Sequence, residues 1–145
     1  MSEIKNRSAF HDFFIDATYD AGLVLAGTEV KSIRGGKVSF NDAYCQIHQG
    51  EVWLKSLHIA EYSHGNINNH NSVQDRKLLL HKKEIRKIEG KLKEKGYTLV
   101  PLKIYFNEKN IVKIEIGLAK GKKLHDKRDT IRKKDVEREI KRYLK

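Results

Sequence analysis

Cysteine, proline and tryptophan each occur once in this chain of 145 residues. A lone Cys45 forms no internal disulfide and builds no cysteine metal site, which suits a reducing compartment. The single proline, Pro101, lacks a ladder donor and therefore puts its strand at an edge or a bulge. Long apolar runs are missing too. The longest, 98–106, is broken by Lys103 and is far short of a membrane span. The first residues, MSEIKNRSAFHDFF, have neither the apolar core nor the small-residue cleavage pattern of a signal peptide. A soluble, cytoplasmic protein is expected.

What the chain does have is positive charge. It carries 30 Lys/Arg against 19 Asp/Glu, a net of +11. Residues 119–145 hold 12 Lys/Arg and 5 Asp/Glu, so most of the excess sits in under a fifth of the length. Such a segment buries no core of its own and reads as an arm that meets a polyanion. It contains no Trp or Phe to face a lipid surface, which leaves nucleic acid ahead of membrane. Residues 1–118 hold nearly all the large apolar side chains, enough for one domain. The organisation expected is a body over 1–118 and a basic tail over 119–145.

Two stretches alternate with period two. In YTLVPLKIYF (97–106), Val100, Leu102, Ile104 and Phe106 share one face. In 111–118, Val112, Ile114, Ile116 and Leu118 oppose Lys113 and Glu115. Asn107–Asn110 between them makes a polar hairpin turn. Residues 10–18 and 21–26 read as a second strand pair joined at Tyr19-Asp20. Residues 42–48 and 51–59 read as a third, turning at Gln49-Gly50. A short helix runs from a Thr28 cap to Ile33 and stops at Gly35-Gly36. Another spans 82–95, with Ile85, Ile88 and Leu92 on one side and His81 with Glu84 as a loose capping box. Residues 63–75 are a polar loop. The fold class expected is mainly β with minor α: an OB-like, closed, six-stranded antiparallel barrel with two or three helices, a frequent nucleic-acid platform. In the tail, Val136, Ile140 and Tyr143/Leu144 give a marginal helix that forms fully only on a surface.

The segments GTEVKSIRGGKVSFNDAY (27–44), RKLLLHKKEI (76–85), GYTLVPLKIYF (96–106) and KIEIGLAKGKKLHDKRD (113–129) resemble the SsrA-binding proteins, also called small protein B. These are the bacterial partners of transfer-messenger RNA. HDFFIDATYDAGLVL (11–25) fits as well, so the resemblance covers essentially the whole chain in order. It implies an OB-like barrel that binds the tRNA-like domain of transfer-messenger RNA. It implies a tail that enters the decoding site and vacant mRNA channel of a stalled ribosome, so that the nascent chain is tagged (trans-translation). It implies no covalent chemistry, no cofactor or metal, and a free monomer.

Position by position, the resemblance makes Asp20, Leu79, His81 and Lys113 candidates for RNA binding; Lys31 and Arg34 join them as phosphate contacts if their helix faces RNA. It places Gly121 at the junction of barrel and tail. Lys122, Lys123, His125, Asp126, Lys127 and Arg128 fall in the motif associated with the decoding site. Two departures stand out. Asp20 replaces a glutamate, one methylene longer, and Asn71-Ser72-Val73-Gln74 replaces a usual Asp-Pro-x-Arg.

Blander readings accompany several of these residues. Lys113 on an open strand face serves solvation or edge protection as readily as phosphate binding. A leucine in LLL is usually core, so Leu79 supports an RNA surface from beneath if it contributes at all. Glu29 and Lys31 read as helix-surface charges. Trp53 and Tyr44 are stacking platforms or core aromatics, with core ahead for Trp53. Two other functions are weighed. A ribosomal protein or general RNA chaperone explains charge and barrel but not the ordered motifs. A metal-dependent nuclease would draw on His64, His70 and His11-Asp12, which lack a two-carboxylate or closely spaced His signature.

Overall fold

The computed structural model describes residues 3–62 and 69–121. The chain order is β1 (Glu3–Lys5), α1 (Arg7–Asp12), β2 (Phe13–Leu23), α2 (Gly27–Arg34), β3 (Val38–Ser39), β4 (Tyr44–His48), β5 (Glu51–Lys55) and β6 (His58–Ile59). It continues through β7 (Arg76–Leu79), α3 (Lys82–Leu92), β8 (Tyr97–Phe106) and β9 (Val112–Gly121). The fold is mainly β with three helices. Seven antiparallel strands form one sheet in the order β1-β8-β9-β2-β7-β5-β4, and β3-β6 is a separate pair. Among the described residues no ladder joins β1 to β4, so the hydrogen-bonded sheet is open where a closed six-stranded barrel was expected.

Local chemistry accounts for the turns. Gln49 and Gly50 both have positive φ (52° and 76°), the geometry a two-residue hairpin needs to match strand twist. Between β8 and β9, the Asn107 side-chain oxygen accepts from the backbone N–H groups of Lys109 and Ile111, each at 2.9 Å. At α3, the His81 backbone N–H donates to Glu84 Oε1 at 3.1 Å, which is half of the expected capping box. Residue 26, rather than Thr28, caps α2: the Ala26 N–H donates to Glu29 Oε1 at 2.8 Å.

Three expectations about strands are corrected. Residues 13–23 make one continuous strand rather than a pair turning at Tyr19-Asp20. β9 holds it along one side from Phe13 to Gly22, and β7 takes Gly22 and Leu23 on the other. Residues 7–12 are helical, and 76–79, to which no element was assigned, bridge β2 to β5. β9 runs through Ala119 and Lys120 to Gly121, three residues into the segment assigned to the tail.

The face shared by Val100, Leu102, Ile104 and Phe106 is also corrected. Pro101 pairs with Ile116 while Lys103 pairs with the adjacent Glu115, so Leu102 is an extra residue: a bulge, as Pro101 foretold. The bulge flips the alternation. Leu99, Ile104 and Phe106 join the main core with Val112, Ile114, Ile116 and Leu118. Val100 and Leu102 turn to the other side and meet Ala9 of α1 and Ala119. Gly117 lies beneath them, and a Cβ there would come within 2.8 Å of Leu102 Cδ1. Asn6 closes the distortion: its side-chain amide donates to the Pro101 carbonyl and its backbone N–H to the Leu102 carbonyl, both at 2.8 Å.

A buried ion pair ties α2 to β7. Glu29 and Arg76 are each 1% exposed at the side chain, with Arg76 Nε 2.5 Å from Glu29 Oε2. Arg76 also donates to the carbonyls of Leu57 (2.6 Å) and Ser72 (3.1 Å). Glu29 is thus an interior anchor and not the surface charge expected. Charges so buried are tolerable only because each is paired and hydrogen-bonded throughout.

Candidate nucleic-acid interface

α1 covers one half of the outer face of β8-β9-β2 and leaves the other half open. Across that open half runs a row of register partners: Glu3, Tyr105, Lys113, Gly22 and Leu79 on five successive strands. The next row is Lys5, Lys103, Glu115 and Asp20. Three residues singled out from the sequence, Asp20, Leu79 and Lys113, therefore share one patch despite lying far apart in the chain.

Within the patch, the Tyr105 hydroxyl donates to Asp20 Oδ1 at 2.9 Å. Partial burial, then the Asp20 hydrogen bond and the nearby negative charge of Asp20 and Glu115, push the phenol up to about 12. Lys103 Nζ is 3.3 Å from Glu3 Oε1 and 5.4 Å from the Tyr105 ring centre, so that cation is engaged. Lys113 is half-buried and makes no ion pair among the described residues. Its ammonium is an uncommitted positive charge on this face, suited to a phosphate.

Leu79 corrects the core reading. It is 52% exposed, while Leu78 beside it is 2% exposed. The side chain lies over Gly22, where a Cβ would stand 3.3 Å from the leucine Cβ. An exposed leucine held flat over a glycine offers an apolar surface for a base or ribose to lie on. His81 follows two residues later with its ring exposed, its backbone alone serving the helix cap.

The other candidates stand apart from this patch. Arg34 sits at the hairpin end, its guanidinium 4.5 Å from the Phe106 ring centre and Nη1 3.2 Å from Asn110 Oδ1. Lys31 Nζ lies 5.3 Å from the Tyr62 ring centre. Trp53 is on the outer face of β5, half-buried, opposite Gln46 and Lys77, while Val52 and Leu54 fill the core. Trp53 is therefore not a core aromatic. Tyr44 is 45% exposed. Gly121 pairs with Phe13 as the last described residue of β9. Lys122, Lys123, His125, Asp126, Lys127 and Arg128 lie outside the described residues.

Gly22, Tyr105 and Lys103 were missed. Alternation could have found the last two, since 103 and 105 oppose Ile104 and Phe106. A glycine inside a strand is itself a sign of close approach. Of the residues weighed for a nuclease, His64 lies outside the described residues. Buried His70 is held by Thr28 Oγ1 and the Ile59 carbonyl, each at 2.8 Å. Among the described residues no group of three His, Cys, Asp or Glu is placed to hold a metal ion, and no helix is long and apolar enough to cross a membrane.

The fold is a mainly β body whose outer sheet face gathers Asp20, Leu79 and Lys113. The family model for SmpB protein matches residues 3–145. SsrA-binding proteins of Fervidobacterium nodosum, Bacillus cytotoxicus and Geobacter sulfurreducens are 56%, 55% and 54% identical, each over 97% of this chain and at least 90% of their own length. A solved chain described as "tmRNA-SmpB: a journey to the center of the bacterial ribosome" superposes with a TM-score of 0.72 at 50% identity, covering 84% of this chain and 85% of that one. The chain belongs to the SmpB family, the SsrA-binding proteins.

Proposed function

We propose that this protein binds the tRNA-like domain of transfer-messenger RNA and delivers it to stalled ribosomes in trans-translation. The observation that carries the reading is the meeting of Asp20, Leu79 and Lys113 on one open sheet face, in a chain whose relatives are named SsrA-binding proteins. Phosphate charge meets Lys113, a base or sugar lies on Leu79, and Asp20 both holds Tyr105 and keeps its second oxygen for a ribose hydroxyl or base amine. His81 adds a contact at the rim, while Lys31 and Arg34, apart from the patch, are read as further phosphate contacts. No covalent step is assigned to the chain, and no metal or cofactor.

The sheet is read as an OB-like barrel, since β4 comes to lie beside β8 even though no ladder joins the sheet's ends. The segment after β9 is the part that reaches the decoding site and empty mRNA channel, with Gly121 at its root and Lys122 to Arg128 within it. This division of labour has a direct test. A chain lacking residues 122–145 should retain transfer-messenger RNA in a filter-binding assay and lose peptide tagging on ribosomes stalled without a codon. Tagging by the truncated chain would sink the assignment of the tail. Equal affinity for unrelated structured RNAs would sink the assignment of the body and revive a general RNA chaperone.

A further inference from the structure

Outside the tail, positive charge is not evenly spread. Residues 1–118 hold 18 Lys/Arg and 14 Asp/Glu, and the segment 82–95 alone holds seven and three. The α3 segment thus accounts for the whole excess of the body. Its inner stripe, Ile85, Ile88 and Leu92, packs on the barrel core. Lys83, Arg86 and Lys87 are exposed on the opposite side.

Alongside α3 runs a groove of about 530 Å³. Arg86, Lys87, Gly90 and Lys91 form one wall, and Tyr19 and Leu118 belong to the other. At its end the Tyr97 ring is flanked by Lys91 Nζ at 5.4 Å and Lys120 Nζ at 4.8 Å. Two carboxylates are present as well, and both are occupied. Asp16 Oδ2 accepts from the Tyr97 hydroxyl at 3.3 Å, and Glu94 Oε2 is 3.7 Å from Lys91 Nζ.

Gly90 is the second observation. A glycine inside a helix costs about 1 kcal/mol relative to alanine. Yet a Cβ at this position would meet nothing within 4 Å, so packing within the chain does not demand the glycine. It sits between the groove's cations, where a bare helix surface allows a ligand backbone to come close.

We propose that the α3 groove is a second, sequence-independent binding site for an RNA sugar-phosphate backbone. It is distinct from the sheet face: Lys113 and Lys120 are seven residues apart on β9, roughly 23 Å at about 3.3 Å per residue. Arg86, Lys87, Lys91 and Lys120 neutralise phosphates and Gly90 admits the strand. The site opens beside Lys120, next to the last residue of β9.

The test uses the full chain and a short RNA duplex of arbitrary sequence, so it reads the groove whether or not transfer-messenger RNA is the partner of the sheet face. The variant Arg86→Gln/Lys87→Gln/Lys91→Gln should lower the salt slope by about three and the affinity by roughly tenfold. A control that removes equal charge from the rest of the segment, Lys82→Gln/Lys93→Gln/Lys95→Gln, should cost clearly less. Gly90→Gln should raise the melting temperature by about 2–4 °C while weakening duplex binding roughly threefold by crowding one phosphate approach. The groove loss should persist in a Lys113→Ala background. Equal losses from the two triple variants, an unaltered affinity in Gly90→Gln, or disappearance of the effect in that background would each overturn the proposal.

Discussion

Gly22 and Leu79 face each other on adjacent strands, and a Cβ built at position 22 would stand 3.3 Å from the leucine's Cβ. The glycine is what lets an exposed leucine lie down across the sheet beside Lys113. Gly22→Ala should therefore lift the leucine with little stability change, about 1 kcal/mol or less, because Leu79 is free to move outward. RNA affinity should fall about tenfold, equivalent to ~1.4 kcal/mol. Leu79→Ala should do the same without shifting the melting temperature. Thermal melts beside RNA titrations decide it, and a large stability loss with normal binding would make Leu79 structural.

Lys113 makes no ion pair among the described residues, and the proposed function gives it a phosphate. Lys113→Ala should reduce the slope of log affinity against log salt by about one, across RNAs of any sequence that bind the sheet face. A slope identical to that of the parent protein would remove this lysine from the phosphate contacts.

The Glu29–Arg76 pair is nearly inaccessible to water. Glu29→Gln leaves a guanidinium charge buried without its partner and should cost about 3–5 kcal/mol in urea unfolding. The exposed Lys55–Asp75 pair, at 3.0 Å, is a useful contrast, since Asp75→Asn should cost about 0–1 kcal/mol. Similar losses from both would mean that water reaches Arg76.

Tyr105 gives a pH signature. Its phenol is raised to about 12 by partial burial and by Asp20, so the folded state favours the protonated form. The resulting stability is complete below the ordinary tyrosine value near 10 and is lost as pH rises towards 12. Ultraviolet titration should show one late-ionising tyrosine that is absent in Tyr105→Phe and ionises earlier in Asp20→Asn. No late tyrosine in the parent protein would mean that the Tyr105–Asp20 contact is not kept in solution.

Elements whose pattern is carried by their own residues are legible in the amino-acid order alone. The β8–β9 hairpin, the α3 helix with its Ile85/Ile88/Leu92 stripe, the Gln49-Gly50 turn and the bulge at Pro101 all follow from local chemistry. The family motifs also mark Asp20, Leu79 and Lys113. Tyr19-Asp20 misleads because these residues resemble a turn in isolation, and only β9 and β7 on either side hold them in one strand. β7 escapes notice because a four-residue segment has too short a period to declare itself.

The sequence by itself decided that the chain builds a β-rich body and carries a cationic end, because charge, alternation and capping act between near neighbours. Tertiary structure alone decided which side chains meet. A one-residue bulge at Leu102 reversed the faces of β8. Burial turned Glu29 from a surface charge into an anchor, and a glycine across the ladder laid Leu79 open to solvent. Each outcome depends on a partner strand or helix distant in sequence, and the free energy of such contacts is not encoded in any one segment.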